Sequence, residues 1–118
     1  MRKIVYIAGP MTNGGTLSPK ATDAHVRVAM KTAADLMEVG FAPICPQLTH
    51  FLQELYPQPY ERWMECDIPL VNVADCVLRL KGQSKGADRE CLFAIDNGIP
   101  VYTSLKDLIE GETSASHK

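Results

Sequence analysis

The chain has 118 residues, a 46% hydrophobic and 22% charged composition and a formal net charge of -2. That length holds one domain with a single sheet and its covering helices, and the mild acidity excludes the basic footprint that a nucleic-acid polymer requires. No apolar run is long enough to span a bilayer, so the expected setting is cytoplasmic and away from membranes.

Residues 3–8, KIVYIA, read as a strand buried on both faces, as in a parallel sheet. The run is short and ends in a turn, which argues against a secretory signal. The segment Gly9–Gly15, GPMTNGG, is turn chemistry whose successive N–H groups can form a nest for an anion. Ser18 and Pro19 have the pattern of a helix start, N-cap then first position. Val26, Ala29, Met30, Ala33, Leu36 and Met37 then recur along one helix face, and Gly40 ends the helix.

FAPIC (41–45) reads as a second strand, at an edge because of Pro43. Residues 46–58 form a proline-bearing loop with one helical turn around His50 to Leu55. A helix follows over 60–73, which Pro69 should kink or break. Asp75 opens a third strand, CVLRL (76–80), and residues 81–86 turn. A helix over 87–97 is closed by Gly98, IPVYTS (99–104) is the fourth strand, and a short helix begins at Leu105. The domain is expected to end near residue 110, with 111–118 a polar, disordered tail.

Alternating strands and helices imply a flavodoxin-like α/β fold: a parallel sheet of four to five strands with helices on both faces. Ligands bind beyond the carboxyl ends of such strands, which selects the loops Gly9–Gly15, Pro46–Tyr60 and Gly82–Glu90. Ser84 is placed to cap the helix that carries Glu90, and the positive helix end favours an ionised carboxylate there. Such a carboxylate can attack an electrophilic sugar carbon, although Glu90 and Asp88 also read as plain surface charges. Asp67 and Asp75 are further carboxyl candidates, because glycosidic cleavage uses two carboxyl groups with different tasks. Tyr60 and Trp63 are candidates to stack on a base or to fill the core. Cys45, Cys66, Cys76 and Cys91 form no CxxC pair and read as reduced thiols, and the scattered histidines suggest no metal site.

YIAGPM, YERWMECDIPLVNVADCVLRL and SKGADRECLFAIDNGIPV, in that order and spacing, resemble the nucleoside 2-deoxyribosyltransferase superfamily, which includes the 2′-deoxynucleoside 5′-phosphate N-hydrolases. The resemblance covers about residues 3–102. It implies a flavodoxin-like sheet and double displacement. Gly86, Glu90 and Ala94 match the G-x-x-x-E-x-x-x-A segment of the catalytic glutamate, and Tyr6 matches the tyrosine that orients it. Asp67, eight residues before the aspartate of the AD pair, matches the second carboxyl group. Ser84, six residues before Glu90, matches a phosphate-contacting serine of the hydrolases, where the transferases carry an aspartate. The phosphate loop maps onto Gly9, Met11, Thr12 and Asn13, without the arginine that the hydrolases carry there.

The resemblance therefore implies a hydrolase of the base–sugar bond in a nucleoside 5′-monophosphate. Glu90 would be the nucleophile, Asp67 the proton donor and Tyr6 the orienting group. No metal or organic cofactor is implied. Alternatives are a deoxyribosyltransferase and a nucleotide-sequestering module. A homodimer is expected through the Met- and Trp-bearing helix.

Overall fold

The computed structural model describes residues 1–10 and 19–116. Four strands, β1 (Ile4–Ala8), β2 (Ala42–Ile44), β3 (Cys76–Arg79) and β4 (Val101–Tyr102), form one parallel sheet in the order β2-β1-β3-β4. Helices α1 (Pro19–Glu38), α2 (His50–Leu55), α3 (Tyr60–Val73), α4 (Lys85–Asp96) and α5 (Leu105–Ser116) complete the described chain, with a 3-10 turn at Pro46–Thr49. This is the flavodoxin-like α/β fold.

Period-two alternation along the central strands divides the core. Val5 and Ile7 of β1 and Cys76 and Leu78 of β3 pack with Ala29, Leu36 and Leu108 of α1 and α5. Tyr6, Ala8 and Val77 face the opposite side, against Val71 of α3 and Ala87 and Ala94 of α4. Both central strands are thus covered twice, which is why their sequence is continuously apolar. β2 lies at an edge, where Pro43 needs no ladder donor. Gly40 and Gly98 end α1 and α4 at φ +95° and +72°, in the left-handed region.

Several expectations change. The strands are shorter at their ends than the apolar runs that announced them, because pairing stops where the neighbouring strand stops. Met30 and Met37 are about half exposed, so the buried stripe of α1 is narrower, running through Val26, Ala29 and Leu36. Pro69 lies inside α3, which continues through it as one helix. Residues 111–116, expected in a disordered tail, extend α5.

The reason lies in tertiary contacts of that last segment. Glu112 is 6% exposed and accepts from the Tyr102 hydroxyl at 2.7 Å, while Lys3 Nζ donates to its backbone carbonyl at 3.0 Å. Gly111 makes the approach feasible, since a Cβ there would lie 2.5 Å from Tyr102 Oη and 2.7 Å from its Cε1. Gly111 is thus a packing residue within α5. Gly111→Ala should therefore lower stability by about 1–2 kcal/mol despite alanine's better helix propensity, measured by urea unfolding. An equal or higher midpoint would reject that packing role.

Candidate active site

The site is built on the sheet face covered by α3 and α4. Tyr6 stands in mid-β1, in register with Ile44 and Val77, and is fully buried. Its hydroxyl donates to Glu90 Oε2 at 2.5 Å. Glu90 lies in the second turn of α4 on the inward stripe with Ala87 and Ala94, and is 5% exposed. Asp67 of α3, partly buried, shares a hydrogen bond with Glu90. Three elements thus bring Tyr6, Glu90 and Asp67 together.

The electrostatics follow from burial. Desolvation is the main influence that lifts the Glu90 carboxyl, to about 8, and the Asp67 charge lifts it further, while the Tyr6 hydrogen bond opposes both. Desolvation likewise raises Asp67, to about 6. The Tyr6 hydroxyl is pushed far upward by burial first and then by Glu90 and Asp67, so it remains a donor. The carboxyl groups titrate as a pair that holds one proton between those steps.

Ser84 is the N-cap of α4, its Oγ accepting from Ala87 N–H at 3.1 Å. Gly86 sits in the first turn, where a Cβ would rest 3.5 Å from Tyr60 Cε2 and 3.6 Å from Met64 Sδ, ordinary contacts. Packing therefore does not require glycine there. Ser84 also lines an open groove of about 630 Å³ with Gln83, Lys85, Asp88, Arg89 and Leu92. That groove follows the outward stripe of α4, whereas Glu90 faces the sheet. Gly9 ends β1 against Leu80, its virtual Cβ 3.0 Å from that side chain. Met11, Thr12 and Asn13 lie outside the described residues.

Asp75 is placed away from the site. Its Oδ2 accepts from Ile4 N–H at 2.7 Å at the amino end of the sheet, opposite the end where ligands bind. Asp88 is exposed and paired with Arg79 at 3.0 Å. Trp63 is core, 7% exposed, with Nε1–H donating to Gln53 Oε1 at 2.7 Å. Met64 is 3% exposed, so the Trp and Met face of α3 is used within the monomer and is not free for a dimer. The Tyr60 hydroxyl is enclosed beside the Arg89 guanidinium.

Two residues escaped the sequence reading. Gln47, 2% exposed, donates through Nε2 to the Ile7 carbonyl at 3.2 Å and ties the segment after β2 to the end of β1. Arg79 ends β3, and its charge acts on Glu90. Its signal was present in CVLRL, where one cation interrupts an otherwise apolar strand.

Among the described residues no group of three or more His, Cys, Asp or Glu side chains is arranged to hold a metal, and no helix is long and apolar enough to cross a membrane. The four cysteines are unpaired. No protein-family model matches the chain, and no curated protein matches its sequence.

The raised carboxyl carries a stability consequence. Below the unfolded-state value, near 4.5, Glu90 is protonated in both states and the penalty is absent. Between that value and about 8 the unfolded chain ionises first, so stability falls as pH rises. Glu90→Gln should remove most of this decline and gain roughly 1–2 kcal/mol at pH 8, read by denaturant unfolding at several pH values. Parallel curves for the two proteins would show that Glu90 is ionised when folded. In the same assay Gly86→Ala should be neutral or stabilising by up to about 1 kcal/mol; a large loss would mean that packing does require glycine there.

Proposed function

We propose that this protein cleaves the N-glycosidic bond of a nucleoside 5′-monophosphate, as a member of the nucleoside 2-deoxyribosyltransferase superfamily with hydrolytic activity. The observation that carries the reading is the carboxyl pair drawn out of water: buried Glu90, held by Tyr6 at 2.5 Å, is hydrogen-bonded to the partly buried Asp67. A structural role alone gives no reason to bury two carboxyl groups against one another.

With Tyr6 donating to Oε2, Oε1 of Glu90 is the attacking oxygen. As the C1′–N bond breaks, Glu90 passes the shared proton to Asp67 and Asp67 delivers it to the departing base. The Glu90 carboxylate closes on C1′ of the oxocarbenium-like sugar. Water then attacks C1′, and its proton returns to the pair as the ester opens. The balance is nucleotide plus water giving free base plus sugar phosphate. Low pH blocks the reaction by protonating both carboxyl groups, and high pH by removing the last proton. The acid and alkaline limbs belong near 6 and 8, as values of the pair.

Ser84 favours the hydrolase over the transferase within this proposal, because its hydroxyl can still donate to a phosphate while its oxygen caps α4. A homodimer belongs to the same proposal, through exposed Leu70, Val73, Leu92 and Ile95 of α3 and α4. A monomer mass by light scattering would reject that part. The cytoplasmic setting suits four free thiols.

Chromatography of a nucleoside and 5′-monophosphate panel tests the activity. Base release should fall by at least about a thousandfold in Glu90→Gln and by about ten- to a hundredfold in Tyr6→Phe. Undiminished release by Glu90→Gln would sink the mechanism. Incorporation of labelled adenine into a nucleoside would instead identify the transferase, and tight nucleotide binding without release a sequestering module.

A further inference from the structure

Arg79 is the last residue of β3, and its side chain is only 15% exposed. Its guanidinium donates to the Leu80 carbonyl, to the Gly82 carbonyl at 2.9 Å and to Asp88 Oδ1 at 3.0 Å. Every one of these acceptors belongs to the segment joining β3 to α4 or to the first turns of α4. An exposed ion pair contributes little, but a mostly enclosed guanidinium uses its rigid fork of donors to fix geometry, which a lysine cannot reproduce.

The same segment is fixed from its other side. Gly82 has φ +117° and lies so close to Pro10 that a Cβ would stand 2.6 Å from its Cγ. Ser84 then caps α4, and Glu90 follows on the inward face, two residues after Asp88 on the outward face. Arg79 thus holds the start of α4 to the carboxyl end of the central sheet. Its register with Ala8 also turns it to the Tyr6 face of the sheet, where its charge acts on Glu90.

We propose that Arg79 is a positioning residue for Glu90, clasping the β3–α4 turn so that the glutamate meets Tyr6 and Asp67, and supplying a positive charge on the Glu90 side of the sheet. The groups facing Glu90 are Tyr6 from β1, Asp67 from α3 and Arg79 from β3, with Cys91 beside it on α4. Arg79 is the one cation among them, and its charge favours the ionised form that the others, Tyr6 apart, disfavour. The kinetic consequence rests on the glycosidase reading, whereas the titration of Glu90 does not.

The test is carbon NMR titration of the glutamate carboxyl groups in the native protein, Arg79→Lys and Arg79→Gln, with Glu90→Gln assigning the resonance. Arg79→Gln should move the Glu90 midpoint upward; Arg79→Lys, which keeps the charge, should move it much less. In both variants kcat for base release should drop by about tenfold or more, with KM within about threefold, because the fork is lost. An unmoved Glu90 midpoint in folded Arg79→Gln, or a native kcat in Arg79→Lys, overturns the proposal. If the native protein releases no base, the glycosidase reading fails while the titration still decides the role of Arg79. If Arg79→Gln does not fold, amide hydrogen exchange over residues 82–90 in Arg79→Lys decides it: faster exchange supports the clasp and unchanged exchange overturns it.

Discussion

Burying a carboxyl group beside the central strand of an α/β sheet costs several kcal/mol unless its oxygens find partners. Glu90 occupies such a position, and its arrangement depends on the Tyr6 hydroxyl, which donates to it at 2.5 Å. Much of the surrounding structure follows from that bond. Tyr6 must point to the α3/α4 face, which sets the alternation of β1: Val5 and Ile7 then face α1 and α5. Shifting β1 by one residue would send the hydroxyl to the wrong layer and leave Glu90 without its neutral donor.

Around this bond the fold divides its tasks between the two ends of the sheet. At the amino end, Asp75 binds the β1 backbone at Ile4, and Lys3 reaches the C-terminal part of α5 through Glu112. These contacts hold the sheet and its last helix together at the end away from the β3–α4 turn. At the carboxyl end, Gly9, Gln47 and Arg79 terminate or follow the three strands that surround the site, and each binds or abuts a neighbouring segment. Charged side chains bind backbone groups at both ends, and the carboxyl end adds a poorly compensated carboxyl pair. That asymmetry matches the general placement of ligand sites in parallel sheets.

The carboxyl pair also explains why the site opposes stability. Two carboxyl groups brought together out of water resist double ionisation, so one proton is retained through neutral pH. Such a pair is a liability to folding and an asset to a reaction that needs one carboxylate and one acid at once. Gly86 is a smaller case of the same tension, a helical glycine at a position where an alanine would fit.

The sequence by itself determined the order of strands and helices, the parallel sheet, the edge position of Pro43 and the capping role of Ser84, because periodicity, proline geometry and helix-end chemistry act within a few residues. It also singled out Glu90, Asp67 and Tyr6 through motif resemblance, with Tyr6 implied to orient Glu90, but left open how the three meet. Only the tertiary structure decided that, since they come from α4, α3 and β1 and their separation depends on how α3 and α4 settle on the sheet. It also separated Asp75 from Asp67: Asp75 accepts from Ile4 N–H at the amino end of the sheet, whereas Asp67 shares a hydrogen bond with Glu90. Residues 111–116 read as a tail because they are polar, whereas the contacts of Gly111 and Glu112 with Tyr102 and Lys3 that hold them in α5 exist only in the folded chain. Arg79 went unassigned for the related reason that a single cation in an apolar strand declares its partners only when the chain is folded around it.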